Sequence, residues 1–298
     1  MADARGATTS RRERWCIALS FICTLGVGVV YVLAVRTVRG QALEITAMNG
    51  RAVQPRRLGS AAEVLLDTVS IASLAGLMVA ALGIALVRRN VRLAWVVALI
   101  VGGSTMTTEA LKRKLFTRPP LLTLGYDRAA PFNTLPSGHT TVAMCLIVAG
   151  VLVVPRRLQG IVALLGAPYA IGIGVATVLA GWHRPSDVVA ACLVVGAWTF
   201  AGLLLLDWVG AMRSDARQPW ERYIAPGIVV GLVLTIGALA ATSVYGLRFH
   251  YARVSDVGPR GALKPALAFA FSAASIATVA TMVIGAVLWV LRDVHLDR

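Results

Sequence analysis

Eight long apolar runs dominate the chain, at 17–35, 69–87, 93–111, 138–154, 158–182, 188–206, 224–246 and 266–291. A hydrocarbon core about 30 Å thick is crossed by roughly 17–25 apolar residues in a helix, because lipid offers no partner to an unpaired backbone group. The runs therefore predict an all-α fold, a polytopic integral membrane helix bundle. Composition agrees: mean hydropathy is +0.75 and only 14% of residues are charged, against roughly 25% in soluble domains. An ordinary soluble enzyme and a disordered chain are both excluded. The first run follows Arg11, Arg12 and Arg14, as a cleaved leader would. It is too long for a leader's apolar region and no small-residue cleavage site follows, so it reads as a retained helix. The small, polar residues ahead of it read as a disordered tail.

Eight spans put both termini on one side of the membrane. The segments on that side carry 14 of the 29 cations and the opposite side 15. The first side packs its cations into short loops, which favours cytoplasmic termini. The longest loops, 36–68, 112–137 and 247–265, all fall on the other face. The formal charge of +15 suits nucleic acid, lipid headgroups or an anionic substrate. Nucleic acid fits poorly, because there is no recognition motif and the cations are scattered among membrane loops. Cys16, Cys23, Cys145 and Cys192 lie inside apolar runs without ligand spacing and read as buried packing residues. No repeat or second soluble domain is visible, and the oligomeric state is not legible.

Three short stretches on the long-loop face carry the chemistry. Leu111 to Pro120 leaves the third run with Lys112, Arg113, Lys114 and Arg118. By itself such a cationic flank also suits headgroup binding. Pro136-Ser137-Gly138-His139 opens the fourth run. Ser137 can cap the helix, Gly138 lets an anion approach the backbone, and the free amides and positive helix end converge on one point. His139 at the lip can donate a proton; the same residues also read as a plain capped helix start. In the third stretch His183 and Asp187 are four apart. On a helix beginning near Trp182 they share a face, and the carboxylate fixes the imidazole tautomer. An interfacial Trp-His-Arg anchor with Asp187 as helix cap is the alternative.

Lys112…Arg118-Pro119, Pro136-Ser137-Gly138-His139 and His183-x3-Asp187, in this order, resemble the signature of the type 2 phosphatidic acid phosphatase superfamily. These are the lipid phosphate phosphatases, related to vanadium haloperoxidases. The resemblance covers roughly 69–206. It implies a six-helix phosphatase core over 15–210 after a cytoplasmic tail, 1–14, with two additional transmembrane helices and a C-terminal tail in 211–298. It also implies roles: His183 attacks phosphorus, Asp187 orients it and His139 protonates the leaving group. Lys112, Arg118, Ser137 and the Gly138 backbone hold the phosphoryl oxygens. No metal or other cofactor is implied. Substrates would be lipid or polyprenyl phosphates, such as phosphatidate, phosphatidylglycerol phosphate or undecaprenyl pyrophosphate. The setting would be a bacterial plasma membrane, with membrane lipids as partners and the site facing the extracytoplasmic side.

Two departures stand out. Five residues separate Lys112 from Arg118 where the family has six, leaving open whether Lys112, Arg113 or Lys114 reaches phosphate. The family's Ser-Arg pair ahead of the nucleophile is Ala176-Thr177 here, which removes a bidentate clamp. Arg184, Arg113 or Lys114 is expected to supply the missing cation. A phosphotransferase of the same fold and a non-catalytic lipid-binding or transport protein are the competing readings. Glu109 is expected to pair with Lys112 or Arg113.

Overall fold

The computed structural model describes residues 2–51, 54, 56–69, 76, 79, 83, 90–122, 133–214 and 259–296. Eight α-helices make up almost all of it: α1 (Ala2–Val30), α2 (Val38–Gly50), α3 (Arg56–Asp67), α4 (Val91–Ala110), α5 (Gly138–Val153), α6 (Arg156–Leu179), α7 (Pro185–Trp208) and α8 (Pro259–Leu291). Wide five-residue turns extend α1 over Tyr31–Val35 and α4 over Leu111–Leu115. The one extended pairing among the described residues is an antiparallel ribbon of β1 (Met212–Ser214) and β2 (Val294–Leu296), with Met212 opposite Leu296.

The protein is an all-helical, polytopic membrane bundle. Five helices are long and apolar enough to cross a membrane, at Arg11–Val35, Val91–Leu115, Arg156–Leu179, Pro185–Trp208 and Lys264–Leu291, and the apolar helix Gly138–Val153 is shorter. These six match six of the expected runs. The runs 69–87 and 224–246 lie almost wholly outside the described residues. α1 already begins at Ala2, so the residues expected as a disordered tail continue its helix.

The segment 36–68, expected to be a loop, contains α2 and α3. Neither has a long apolar run. α2 starts where the Thr37 side chain accepts the Gly40 N–H, and it buries a stripe that includes two polar residues, Gln41, Glu44 and Ala47. A pattern search for apolar periodicity passes over such a stripe. α3 is short, and its inward face is Ala62 and Leu66.

α7 stands at the centre of the bundle. Its Val195, Phe200, Leu203 and Leu206 join one core with Cys16 and Cys23 of α1, Ile100 of α4, Met144 and Cys145 of α5, Ile173 of α6, and Val283 and Ile284 of α8. All four cysteines are free and buried. Burying Cys23, Val195 and Val283 together makes α8 part of this core and not an appendage to it. Close approach is set by small residues, as in other membrane bundles. At Gly174 a Cβ would lie 2.7 Å from Val188 and 3.0 Å from Ile276, so three helices meet there. The outer face of α1 carries exposed Ile17, Phe21, Ile22 and Leu25, suited to lipid contact.

The two ends of the bundle differ. At one, Arg12 of α1 pairs with Asp207 of α7 at 2.8 Å, and the Arg92 guanidinium donates to Val209 O at 2.8 Å. The Arg156 guanidinium donates to Arg292 O at the same end. At the other, α2 and the wide turn after α4 converge with the start of α5, the end of α6 and the start of α7. The three chemical stretches meet there.

Candidate active site

The local architecture of the third stretch is a helix stop followed by a helix start. Just past the end of α6 stands Gly181, whose φ of 76° is left-handed and open to glycine at little cost. The Gly181 N–H donates to Val178 O at 3.0 Å and the Trp182 N–H to Thr177 O at 3.0 Å. These are the two bonds of a Schellman stop. The His183 N–H also reaches Thr177 O, at 3.2 Å. His183 is thus held in the turn between two helices. It lies ahead of α7, not on it as the sequence led us to expect, because Pro185 starts that helix.

Asp187 enters from the first turn of α7 and is fully buried. Its Oδ2 lies 3.2 Å from His183 Nδ1. The same oxygen accepts from Thr134 Oγ1 at 2.6 Å and from the Arg184 N–H at 2.9 Å. A carboxylate that also holds Thr134 and Arg184 favours the tautomer with Nδ1–H towards it, which leaves the Nε2 lone pair free. The Asp187 carbonyl accepts the Ser137 N–H at 2.9 Å, tying the second stretch to the third.

Ser137 caps α5: its Oγ lies 3.4 Å from the Thr140 N–H and 3.1 Å from Thr140 Oγ1. With no exposed surface, it serves the helix start. The first-turn amides of Gly138 and His139 have no acceptor within the helix. Lys112 faces that end, since a Cβ at Gly138 would lie 3.6 Å from its Nζ. The His139 ring centroid is 6.4 Å from that of His183 and 5.2 Å from that of Trp182. Two imidazoles, an ammonium and a helix N-terminus gather here, with the Glu109 carboxylate that pairs with Lys112 also 4.0 Å from a Cβ at Gly138; the donors suit a tetrahedral oxyanion.

The cations sort clearly. Glu109 pairs with both Lys112, at 3.1 Å, and Arg113, at 2.7 Å. The Arg113 side chain is 76% exposed, whereas that of Lys112 is 21% exposed. Lys114 is exposed as well. Arg184 is buried and its guanidinium lies 3.4 Å from Thr134 Oγ1. Arg118 is buried in an ion pair with Glu44 of α2. Thr177, at the position where the resemblance leads one to expect an arginine, has its hydroxyl on Gly174 O at 2.7 Å and is fully buried. It offers nothing to a ligand.

Three residues near the site were missed by the sequence reading. Thr134 anchors Asp187. Glu44 meets Arg118 and also accepts from Ser186 Oγ; burial pushes its carboxyl up, opposed by Arg118 and reinforced by Asp187. The guanidinium of Arg51, just past α2, fills the space where a Cβ at Gly181 would stand. Thr134 follows Asn133 in a loop and carries no motif. The Gln41–Glu44–Ala47 spacing is the one available sign of a buried α2 face. Among the described residues no group of three or more His, Cys, Asp or Glu is placed to hold a metal ion.

The fold and this end of it define a membrane-embedded helix bundle with a histidine–carboxylate pair beside the N-terminal end of a helix. Residues 93–211 match the family model described as PAP2 superfamily. The matched region contains every residue predicted for the site and excludes α1, α2, α3 and α8. It supports a phosphatase-type hydrolase. No curated protein and no solved structure matches the chain.

Proposed function

We propose that this protein removes phosphate from a lipid or polyprenyl phosphate through a phosphohistidine at His183. The observation that carries the reading is the His183–Asp187 pair, with His139 facing it across 6.4 Å between ring centroids. Nε2 of His183 attacks phosphorus; the P–N bond forms as the P–O bond to the lipid breaks, and His139 gives its proton to the departing oxygen. Water then attacks the phosphohistidine, losing a proton to His139. Cleavage of P–N frees phosphate and restores His183. Asp187 stabilises the positive charge that His183 acquires. Lys112 and the Gly138 amide stabilise the equatorial oxygens, with Arg118 completing the cradle. Of the three cations expected to replace the missing arginine, Arg184 is the best placed, because it is buried beside Thr134 and Asp187 while Arg113 and Lys114 face outwards. No step requires a metal.

A lipid substrate suits this location. The site lies at the mouths of apolar helices, beside Trp182, which is 50% exposed and of a type enriched at membrane interfaces. An extracytoplasmic position follows if the cation-dense end near Arg12, Arg92 and Arg156 is cytoplasmic. The test is phosphate release by the purified chain in detergent from a panel of phosphatidate, phosphatidylglycerol phosphate and undecaprenyl pyrophosphate. Turnover abolished by His183→Ala and inhibited by orthovanadate is expected. No turnover on any of them, with phosphate binding intact, would favour the non-catalytic reading instead.

A further inference from the structure

We propose that Glu44 is a positioning residue for phosphate recognition, built into the site from α2, outside the region that matches the superfamily. The inference rests on the reading that Arg118 meets a phosphoryl oxygen. Glu44 is 5% exposed. One carboxylate oxygen holds Arg118 Nη2 and the other accepts from Ser186 Oγ. Ser186 stands between Pro185 and Asp187 in the first turn of α7. The single carboxylate therefore references Arg118 to the turn that carries Asp187 and, through it, His183.

The second observation is on Arg118 itself. Its side chain is only 8% exposed, and Nη1 is buried with no hydrogen-bond partner. A guanidinium presents its donors in a rigid fork. With Nη2 fixed on Glu44, the plane of the guanidinium and the position of Nη1 are set, and a buried donor left without an acceptor calls for a ligand or another explanation. In this proposal a phosphoryl oxygen is that acceptor. The surrounding segment is also held by α2: Gln41 Nε2 donates to Pro119 O at 2.7 Å, and the Leu121 N–H donates to Gln41 Oε1 at 3.2 Å. Gln41 fixes the backbone after Arg118 while Glu44 fixes its head.

Gln at position 44 can still accept from Arg118 through Oε1 and donate to Ser186 Oγ through Nε2, but it carries no charge, so the ion pair that fixes Arg118 becomes a weaker neutral contact. The test measures binding of inorganic phosphate to the purified full chain in detergent by titration calorimetry, a readout independent of turnover. Wild type is compared with Glu44→Gln, Glu44→Asp, Arg118→Ala and the double variant Glu44→Gln/Arg118→Ala. Glu44→Gln should weaken phosphate binding about tenfold, as expected for misplacing one charge-assisted contact. The double variant should bind no more weakly than Arg118→Ala, because the two act through one contact. If Glu44→Gln fails to fold, Glu44→Asp, which keeps the charge but withdraws it by one methylene, should weaken binding in the same direction. Binding within twofold of wild type, tighter binding, additive losses in the double variant, or no phosphate binding by wild type would each overturn the proposal. Tighter binding would make Glu44 a competitor for Arg118 instead of its guide. Phosphate binding that behaves as expected without turnover of any lipid phosphate would leave the role of Glu44 standing and refute the enzymatic reading.

Discussion

Replacing Asp187 by Asn tests the chemistry where the structure is most explicit. In the proposed mechanism, attack by His183 Nε2 places a positive charge on the imidazole, and Asp187 Oδ2 lies 3.2 Å from Nδ1. Two unit charges about 4 Å apart at an effective dielectric of about 20 interact by about 4 kcal/mol. The neutral amide forfeits most of that, and each 1.4 kcal/mol is about tenfold in rate, so kcat should fall about a thousandfold. The amide must also face Thr134 Oγ1 and the Arg184 N–H, both now on Oδ2. If its NH2 group turns to them, a buried N–H loses its acceptor at a cost of about 1–3 kcal/mol. Single-turnover phosphate release separates the chemical step from product loss, and a thermal melt of the same sample reports the stability cost. Asp187→Asn with phosphate release within tenfold of wild type and an unchanged melt would refute the orienting role.

Other expectations follow from neighbouring contacts. Thr134→Val removes the 2.6 Å donor to Asp187 and should slow phosphate release about tenfold, as a hydrogen bond to a charged group is worth about 1.5–3 kcal/mol; an unchanged rate would show that the other donors suffice. Gly181→Ala forces a side chain into a left-handed conformation costing about 1–2 kcal/mol, in space already filled by Arg51; a lower melting temperature and reduced activity are expected together. Lys112→Ala should weaken binding of inorganic phosphate, whereas Arg113→Ala, whose ion pair is exposed and worth about 0–1 kcal/mol, should leave it within about twofold. At the opposite end, Arg12→Ala strands the buried Asp207 carboxylate. Stability should fall by about 3–5 kcal/mol, with phosphate release per folded molecule unchanged and the melt recovered in Arg12→Ala/Asp207→Asn.

The sequence made the membrane spans visible because lipid imposes a length and an apolarity that few other settings require. It also made His139, His183, Asp187 and Lys112 visible, since each stands in a short stretch whose residue types already suggest an anion site. It did not reveal α2, because a helix that buries Gln41 and Glu44 inverts the usual sign of a core face. Arg118 was expected to face phosphate alone, and its partner comes from a segment 74 residues away in the chain. Ser137 was read both as a cap and as a phosphate contact. The structure shows the hydroxyl at the cap, while its neighbours Gly138 and His139 keep first-turn amides without an acceptor in the helix. The wide turn at Leu111–Leu115 carries Lys112, and the chain leaves the helix at an extended Phe116 before reaching Arg118. No apolar pattern announces such a turn. Thr177 was conspicuous by what it lacks, and its hydroxyl is engaged on Gly174 O.

The central claim is that His183 carries the phosphoryl group. The direct measurement is mass spectrometry of the purified chain quenched during turnover of a lipid phosphate, with peptides mapped before and after acid treatment. A phosphoryl adduct on the peptide bearing His183, stable to alkali, lost in acid and absent in His183→Ala, is the predicted result. Turnover at full rate with no adduct on that peptide, or turnover that persists in His183→Ala, would contradict it.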